Sequence, residues 1–290
     1  MQAQFGFVVL NYKNYHETVE CVASILAIPG DEYAIVVVDN ASPNDSFEQL
    51  RSAYDGHARV TVLASGANGG YSFGNNVGIA HLAARGIHRV IIATSDTLVV
   101  SKDILQQLSA LDQADVGVIG PYIENLVGDI QNPILERVNA SYVINIYLPA
   151  LAALCRRMVY ALRGQPERPA AAVLPVADTT EQRKAAHDVY MIHGSFLYLS
   201  SQYLSKCGLL DDALFMYGEE DLLAYNAYAH GLRTLYAPGI KVIHKEGKSS
   251  PKDKNNTFFN ENSKKSIRHV RRQMRLSTLL QQAFSRRTAQ

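Results

Sequence analysis

The chain has 290 residues, of which 47% are hydrophobic, so it can bury the core of one large α/β domain with appendages. No run approaches the ~20 apolar residues that cross a bilayer, and the first residues lack the basic start and cleavage site of a signal peptide, so we expect a cytoplasmic protein. Cys21, Cys155 and Cys207 have neither an even count nor the clustering of a zinc site, which predicts three unbridged thiols.

Charge is distributed unevenly along the chain, although the formal net charge is only +1. From Lys241 onward there are 13 Lys and Arg against three acidic residues, so the part of the chain before Lys241 is acidic. A basic tail can bind nucleic acid, but the acidic body and the lack of a recognised nucleic-acid motif argue against that partner.

Alternating strand and helix patterns run from Phe5 to about Pro121. Apolar segments separated by helical periodicity predict five strands, namely FGFVVLN, YAIVVVD, RVTVLAS, RVIIAT and VGVIGP. Because strands that alternate with helices form parallel sheets, we predict an α/β fold with a Rossmann-like, mostly parallel sheet flanked by helices.

Polar residues follow the second predicted strand and precede a helix. Asp39 ends a strand whose other residues are apolar or aromatic, and it presents a carboxylate at the C-terminal edge of the sheet, where such folds bind ligands. About thirty residues later, Asn68, Gly69 and Gly70 form a loop with little side-chain bulk, and Ser72 is the expected N-cap of the next helix. Such a loop can bring backbone N–H groups close to a ligand, so the two segments predict a pocket for a nucleotide diphosphate.

The segment from about residue 125 to 188 loses this rhythm. An apolar helical stretch, ASYVINIYLPALAALCRRMVYALRG, precedes the Pro- and Ala-rich QPERPAAAVLP, and we interpret residues 125–188 as a helical insertion or lid. The apolar residues from Tyr142 to Leu154 are typical of either a membrane contact or an oligomer interface.

Regular patterns return near residue 190. MIHGSFLYLS predicts a strand, YGEEDLLAYNAYAHG a helix that ends at Gly231, and RTLYAP and IKVIH two short strands. From about residue 258 to 284, apolar residues recur at helical spacing between basic ones, which predicts an amphipathic helix. We therefore expect a main domain over residues 1–257 and a basic amphipathic C-terminal helix in residues 258–290.

Six motifs occur in order along the chain: NYKN after the first strand, then VVDNAS, NGGYSFGNN, TSDT, YGEEDL and HKEGKSS. Over residues 5 to 250 this set resembles the family 2 glycosyltransferases, which are inverting enzymes with the GT-A fold. It is most similar to the rhamnosyltransferase-like branch that builds O-antigen, capsule and other bacterial surface glycans. The resemblance implies transfer of a hexosyl or deoxyhexosyl group from a nucleoside diphosphate sugar to a hydroxyl of a glycan or polyprenyl-linked acceptor.

The resemblance also implies which residues bind the donor. Asn11 and Asp39 match positions near the nucleotide base and ribose, and a carboxylate there can accept hydrogen bonds from a base imide or a ribose hydroxyl. The alternative for Asp39 is an Asx-turn that shapes the DNAS loop, and the alternative for Asn76 is a structural hydrogen bond. The candidate donor-binding residues are Asn11, Asp39, Asn40, Asn68, Gly69, Gly70, Asn76, Ser95 and Ser249.

TSDT matches the metal motif of the family, in which two acidic residues flank one other residue. Here Thr94 takes the first acidic position and only Asp96 keeps a carboxylate. His244 matches a family histidine that helps to hold the metal or the diphosphate. Oxygen ligands suit Mg²⁺ or Mn²⁺, so the resemblance implies one of these ions as cofactor, with Asp96 and His244 as its protein ligands. The alternatives are that Asp96 caps a loop and that His244 is structural.

Inversion at the anomeric carbon requires a base that removes the proton of the acceptor hydroxyl. Counted back from Gly231, the base position of the family falls on Glu220, with Asp221 as a second candidate, while Leu222 replaces a later family acid. The alternative is that these acids only complement the dipole of a helix N-terminus, an effect of ~0.3 to 1 kcal/mol each. The expected acceptor contacts are His193, Gly194 and Glu219.

Other functions fit parts of the sequence. A nucleotidyltransferase would use a similar sheet, but NYKNYHET lacks the Gly-rich, basic activating loop of that class. Because Thr94 and Leu222 replace family acids, a catalytically weak sugar-nucleotide binding subunit is one alternative, and the basic tail allows a membrane-associated scaffold. We expect the basic helix either to lie on the anionic inner face of the plasma membrane or to pack on its own domain or on a second subunit in a homo-oligomer.

Overall fold

The computed structural model describes residues 3–162, 185–246 and 257–284. The strands are β1 (Phe5–Asn11), β2 (Tyr33–Asp39), β3 (Val60–Ala64), β4 (Val90–Thr94), β5 (Thr97–Val99), β6 (Val116–Asn125), β7 (His187–Val189), β8 (Phe196–Leu199) and β9 (Arg233–His244). The helices are α1 (Tyr15–Leu26), α2 (Ser46–Ala53), α3 (Tyr71–Ala84), α4 (Ile104–Leu111), α5 (Ala140–Tyr147), α6 (Pro149–Leu162), α7 (Ser201–Cys207), α8 (Glu219–Ala229), α9 (Thr257–Gln273) and α10 (Leu276–Phe284). Within these ranges, no helix combines the length and the apolar composition that crossing a membrane requires.

The strands form one mixed sheet in the order β3-β2-β1-β4-β8-β6-β9-β5, with β7 paired to β9. The first four strands are parallel, as predicted. Beyond them, β8 runs antiparallel to β4 and β6, and β5 and β7 run antiparallel to β9. The α/β class is confirmed. The parallel pairing is limited to the first four strands and to β6 with β9.

Helices cover both faces of the sheet. On one face, α1, α2 and α4 bury side chains such as Ile25, Leu50 and Leu108. On the other face, α3 and α8 bury Leu82 and Leu223, with α7 beside them. Strand β2 lies between these layers and all its residues are buried, which explains why its sequence is apolar along nearly its whole length.

Two strand predictions after the insertion need correction. Within MIHGSFLYLS only β8 is a strand, because the chain at His193 leaves the sheet and its N–H donates to the side chain of Asn132. RTLYAP and IKVIH form one continuous strand, β9, whose register against β6 slips between Pro121 and Tyr122. This β-bulge takes up Pro238, which has no N–H to donate to a neighbouring strand.

The predicted C-terminal helix is two helices, α9 and α10. Val270 and Met274 in the α9–α10 region are buried in a third apolar cluster, together with Tyr142 of α5 and Leu222 of α8. The apolar face of α9 therefore packs on the main domain, which is one of the alternatives raised by the sequence. Because α5 lies in the same cluster, the first part of the predicted insertion packs against α8 and the α9–α10 region. The segment QPERPAAAVLP lies outside the described residues.

The cysteines that the structure describes agree with the prediction of unbridged thiols. Cys21 and Cys207 are free, and the side chain of Cys155 lies outside the described part of the chain. Cys21 is fully buried, and burial raises the pKa of its thiol to about 12. It is therefore a small core residue and not a nucleophile.

The start of α3 corrects the predicted helix cap. Gly70, and not Ser72, precedes the first helical residue, and its φ of 94° and ψ of −168° define a conformation that is open essentially only to glycine. A Cβ atom at Gly70 would lie 1.9 Å from the carbonyl oxygen of Phe215. Ser72 instead lies buried within the first turn of the helix. The loop before α3 therefore depends on glycine for both its conformation and its close approach to another segment.

We expect Gly70→Ala to lower the free energy of unfolding by about 3 kcal/mol or more, because it adds backbone strain and a clash with backbone atoms. Gly66→Ala is the matched control. Gly66 also has a positive φ of 81°, but a Cβ atom there meets nothing within 4 Å, so the expected loss is about 1–2 kcal/mol. Urea unfolding measures both values, and equal losses would contradict the importance of the Phe215 contact.

Candidate functional site

The ends of β1 and β2 meet at the C-terminal edge of the sheet. Asn11 and Asp39 are register partners, and the Asn11 amide donates to the Asp39 carboxylate at 2.6 Å. Asp39 also accepts hydrogen bonds from the N–H and the hydroxyl of Ser42, at 2.8 and 2.7 Å. The structure therefore contains the hydrogen bonds that an Asx-turn at Asp39 requires. Because a carboxylate has about four acceptor positions, these three bonds leave one unused on a side chain that is only 1% exposed.

The loop over residues 68–70 is held to the residue that follows Asp39. The Asn40 amide donates to the side chain of Asn68 and to the carbonyl of Gly70, both at 3.0 Å, and it accepts a bond from Ser65 at 3.2 Å. The side chain of Asn40 forms its hydrogen bonds within the protein, and these bonds fix the loop. Asn68 and Gly69 remain half-buried next to it.

Asp96 lies just beyond β4, at the same edge of the sheet. Its carboxylate accepts a hydrogen bond from the Thr94 hydroxyl at 2.7 Å, and its Oδ2 lies 3.4 Å from Nε2 of His244. His244 reaches this position because it is the register partner of Thr97 in the β5–β9 pair. Burial alone would raise the pKa of Asp96, but the bonds from His244 and Thr94 outweigh it and hold the pKa below its ordinary value. Thr94, which replaces a family acid, thus orients the acid that remains.

Gln131 orients His244 from the other side of the ring. Its Oε1 lies 2.7 Å from Nδ1 of His244, and because a carbonyl oxygen only accepts, Nδ1 carries the proton. With Nδ1 protonated, the neutral ring has its lone pair on Nε2, facing Asp96, and this is the form that can bind a cation. Only the doubly protonated ring donates from Nε2 to Asp96, and it is this form that lowers the pKa of Asp96. The amide of Gln131 donates to Glu246. Sequence reasoning missed Gln131, since it lies in the predicted insertion and no local pattern marks its return to the sheet edge.

Asp96 and His244 fit the requirements of a hard divalent cation. Mg²⁺ holds ligands at roughly 2.1 Å and at right angles, so two adjacent ligand atoms lie roughly 3 Å apart. The separation of 3.4 Å between Oδ2 and Nε2 is close to this value. Within the described residues, no group of three or more His, Cys, Asp and Glu side chains could hold a metal. A cation at this pair would therefore complete its shell with oxygens from a ligand and from water.

The N-terminus of α8 places acidic side chains beside a pocket. Its lining consists of Tyr71, Gly194, Leu197, Leu210, Glu219, Glu220 and Leu223. The N–H of Gly194 donates to Oε1 of Glu220 at 3.3 Å. Burial raises the pKa of Glu220 to about 7, and burial next to Glu220 raises the pKa of Glu219 well above its ordinary value. A helix dipole would lower both pKa values, so burial outweighs the dipole here and Glu220 exchanges its proton near neutral pH.

Asp221 has different surroundings, although it is the next residue. It lies outside the lining of the pocket and accepts a hydrogen bond from the Tyr142 hydroxyl at 2.7 Å. Burial raises the pKa of Asp221, and the bond from Tyr142 opposes this rise. Helix α5 of the insertion thus holds the acidic end of α8 in place. Sequence reasoning missed Tyr142 as well, because its position in an apolar helix predicted only burial.

His193 and Gly194 lie between the acidic pocket and the Asp96–His244 pair. The rings of His193 and His244 are 5.4 Å apart between centroids, and Nδ1 of His193 lies 2.9 Å from the Ser195 hydroxyl. Burial and the neighbouring His244 lower the pKa of His193 to about 4, so its ring is neutral. A Cβ atom at Gly194 would lie 2.9 Å from Oε1 of Glu220, so glycine leaves room for that carboxylate.

Hydrogen bonds connect these parts into one edge of the sheet. The carbonyl of Ser195 accepts from the Thr94 N–H at 2.8 Å, and the carbonyl of Gly194 accepts from the Tyr71 hydroxyl at 2.5 Å. Tyr71 is the first residue of α3 and directly follows the 68–70 loop. The glycine loop, the Asp96–His244 pair and Glu220 are therefore linked through the short segment that contains Gly194.

Three residues that were predicted to bind the donor gain no support from these contacts: Asn76, Ser95 and Ser249. The Asn76 amide exchanges hydrogen bonds with the backbone of Leu210, at 2.8 and 3.0 Å, so its side chain supports the fold, as the structural alternative proposed. Ser95 is buried between Thr94 and Asp96. Ser249 lies outside the described residues.

Known proteins similar to this chain include glycosyltransferases. A family model described as "Glycosyltransferase like family 2" matches residues 3–275. Among curated proteins, the chain is 24% identical over 247 residues to the low-salt glycan biosynthesis hexosyltransferase Agl10 of Haloferax volcanii. That similarity covers 85% of this chain and 68% of the relative.

Solved glycosyltransferase structures share the fold. GalNAc-T7 with UDP, GalNAc and Mn²⁺ has a TM-score of 0.60 at 12% identity, over 86% of this chain and 45% of that one. The mannosyltransferase PcManGT from Pyrobaculum calidifontis with GDP-Man and Mn²⁺ has a TM-score of 0.56 at 16% identity, over 98% of this chain and 70% of that one. This chain therefore spans less than half of the first protein. At these identities the likeness concerns the fold alone, and it confirms the predicted GT-A architecture. Because the family model matches nearly the whole chain, the protein belongs to the glycosyltransferase-like family 2.

Proposed function

We propose that this protein is an inverting glycosyltransferase that moves a sugar from a nucleoside diphosphate sugar to a hydroxyl of a glycan or lipid-linked acceptor. The observation that carries the proposal is the position of Glu220. It lines a pocket that backbone hydrogen bonds connect to Asp96 and His244, and burial raises its pKa to about 7. Inversion needs a base for the attacking hydroxyl on one side of the anomeric carbon and a site for the leaving diphosphate on the other.

In this proposal the two ends of the site have separate tasks. Asn11 and Asp39 bind the nucleotide, and the 68–70 loop approaches the donor through its backbone. Glu220 removes the proton from the acceptor hydroxyl, with the Gly194 N–H holding its carboxylate toward the pocket. Glu219 and His193 contact the acceptor. Asp221 acts through the Tyr142 bond as a positioning residue.

We propose Mg²⁺ or Mn²⁺ as cofactor, held by Asp96 and His244. When bound, the ion supplies positive charge that stabilises the departing diphosphate. The chain prepares this site through its own contacts, since Thr94 orients Asp96 and Gln131 holds the proton of His244 on Nδ1. The two solved structures that contain Mn²⁺ support a divalent ion for the fold without distinguishing between the two metals.

The biological setting we propose is synthesis of a bacterial surface polysaccharide such as O-antigen or capsule. The order of the six motifs supports it. A relative that is named for hexosyl transfer in glycan biosynthesis supports the more general part of the proposal, that the product is a glycan. A polyprenyl-linked acceptor would bring the enzyme to the inner face of the plasma membrane as a peripheral protein. A second candidate is a sugar-nucleotide binding subunit with weak catalysis, which the loss of an acid at Thr94 favours.

Donor binding is the first test. In the presence of Mn²⁺, we expect one of a panel of UDP-, GDP- and dTDP-sugars to raise the melting temperature. A hundredfold excess over Kd adds about 2.7 kcal/mol, which is roughly 5–10 °C for a protein of this size. Asp39→Ala should abolish this shift, because it removes the carboxylate that we place on the nucleotide.

The matched control for this test is Asp55→Ala, which changes an exposed aspartate in the turn after α2 and should keep the shift. Release of nucleoside diphosphate in the presence of acceptor extract then distinguishes a transferase from a binding subunit. A wild-type protein whose melting temperature responds to no sugar nucleotide, with either Mn²⁺ or Mg²⁺, would show that the proposal is wrong.

A further inference from the structure

Exposed large hydrophobic side chains concentrate on one part of the described surface. Around α6 they are Leu148, Leu151, Leu154 and Met158, with exposed fractions between 46% and 58%, and on α10 they are Leu276 and Leu280, with 42% and 39%. The remaining exposed large hydrophobic residues of the described chain are Val100, Leu126, Val127 and Leu209. Exposed apolar patches of this kind mark interaction surfaces.

The exposed large hydrophobic side chains that the structure describes on α6 lie on one stripe of the helix. Leu151, Leu154 and Met158 have the spacing i, i+3, i+7, which places them within an arc of roughly 60°. Ala152, which points away from this stripe, is buried. A surface helix normally has polar residues on its outer face, so this stripe of described side chains has the composition of a face that a partner covers.

The exposed residues of α6 and α10 belong to the same surface. The Tyr147 hydroxyl donates to the carbonyl of Met274 at 2.8 Å, and Arg271 donates to the carbonyl of Ile146 at 2.9 Å. These two bonds join the turn between α5 and α6 to the turn between α9 and α10. Leu148, one residue after Tyr147, therefore lies close to the start of α10.

Exposed basic residues lie on the helix that leads into α10. On and just after α9 they are Lys264, Lys265, Arg268, Arg272 and Arg275. Since Val270 and Met274 are buried against the main domain, α9 contributes charge to the surface and not apolar contact. Apolar side chains that enter the head-group region, together with cations that attract anionic head groups, are the combination that binds a membrane interface.

We propose that α6, α10 and the basic face of α9 form a docking surface for an anionic lipid bilayer. A second copy of the chain is a poorer occupant, because a two-fold interface would place the same basic residues of both copies close together. The proposal corrects the sequence-based assignment of this contact, since Tyr142, Val143 and Ile146 lie in the apolar core and only the later residues of that stretch are exposed. The surface lies on helices that do not line the pocket of Glu220, so the proposal does not depend on transferase activity.

Co-sedimentation of the full chain with vesicles tests the proposal. We expect binding to vesicles made of equal parts phosphatidylcholine and phosphatidylglycerol, and binding that is weaker by about tenfold or more to phosphatidylcholine alone. Leu151→Ser/Leu154→Ser and Lys264→Gln/Lys265→Gln/Arg268→Gln should each weaken binding to the anionic vesicles by about tenfold or more. The matched control Val100→Ser/Leu126→Ser changes two exposed apolar side chains elsewhere and should bind like the wild type.

Several outcomes would overturn this proposal. One is a wild-type protein that ignores anionic vesicles, and another is equal binding by the wild type and Leu151→Ser/Leu154→Ser. A dimer in light scattering that is lost in the same variant, without vesicle binding, would assign the surface to a second copy. Circular dichroism melting shows whether each variant is folded. The assay contains no donor, so its failure would leave the transferase proposal unaffected.

Discussion

Glu220→Gln is expected to lower kcat by about 10²–10⁴-fold while changing donor affinity by less than about twofold. Glutamine has nearly the same size, and its carbonyl can still accept the hydrogen bond from the Gly194 N–H, so the pocket keeps its shape. The amide cannot take up the proton of the acceptor hydroxyl. Rates of nucleotide release at saturating donor and calorimetric titration of the donor measure the two quantities separately.

Asp221→Asn is the matched control, because it removes the same charge one residue further along α8. Asp221 lies outside the pocket lining and bonds to Tyr142, so we expect a loss of kcat below about tenfold. A large loss in Asp221→Asn with a near-normal Glu220→Gln would move the base to Asp221. Wild-type rates in both variants would remove a carboxylate base from the mechanism.

Ionisation of Glu220 should also make activity and stability depend on pH. With a pKa of about 7, Glu220 becomes a competent base only as the pH rises through that value, so kcat/KM should increase across it. The free energy of unfolding should change in the opposite direction. Because the pKa is near 4.5 in the unfolded chain and higher in the folded protein, the folded state binds the proton more tightly and loses stability as the pH rises from about 4.5 to 7.

Glu220→Gln should therefore be more stable than the wild type above neutral pH, by an amount on the order of 3 kcal/mol, and this difference should become small as the pH falls to 4.5 and below. Thermal unfolding at both ends of this pH range measures it. A variant that loses activity and gains stability at pH 8 would show that function, and not folding, requires this carboxylate. A variant that is less stable than the wild type at every pH would instead give Glu220 a structural role.

The second large effect is expected at Asp96. Asp96→Asn should lower kcat/KM by about 10²–10³-fold and weaken Mn²⁺ binding, because it removes the charged oxygen beside His244 while keeping the side-chain volume. Electron paramagnetic resonance of free Mn²⁺, recorded with and without a nucleoside diphosphate, measures metal binding independently of turnover. The asparagine oxygen can still accept the Thr94 hydroxyl, so the loop should stay folded.

Asp103→Asn is the control for Asp96→Asn. It removes an aspartate charge at the exposed start of α4, where we expect no change in Mn²⁺ affinity or in kcat/KM. If Asp96→Asn bound Mn²⁺ as tightly as the wild type, Asp96 would be the loop-capping residue that the sequence allows as an alternative.

Elements with strong local patterns were predicted closely. Strands β1 and β2 have the predicted bounds, because nearly continuous apolar runs with polar ends depend on few neighbours. The limits of β8 and the continuity of β9 were predicted wrongly. The first depends on the contact between His193 and Asn132 and the second on the register with β6, and neither is visible in a local window of sequence.

Residue types in order along the chain were enough to recognise the family and the α/β class, because motifs and strand periodicity are local properties. The positions of candidate acids and of the glycine loop could be read in the same way, while their roles in donor binding, metal binding and catalysis stay predictions.

The partners of those residues could not be read from the chain. Gln131 beside His244, Tyr142 beside Asp221 and the backbone of Leu210 beside Asn76 each join segments that are far apart in sequence. The burial of the apolar face of α9 likewise depends on contacts with segments that are distant in sequence. Such contacts depend on how whole elements pack and on which surface each element covers, and this packing decides whether a polar side chain serves the fold or faces a ligand.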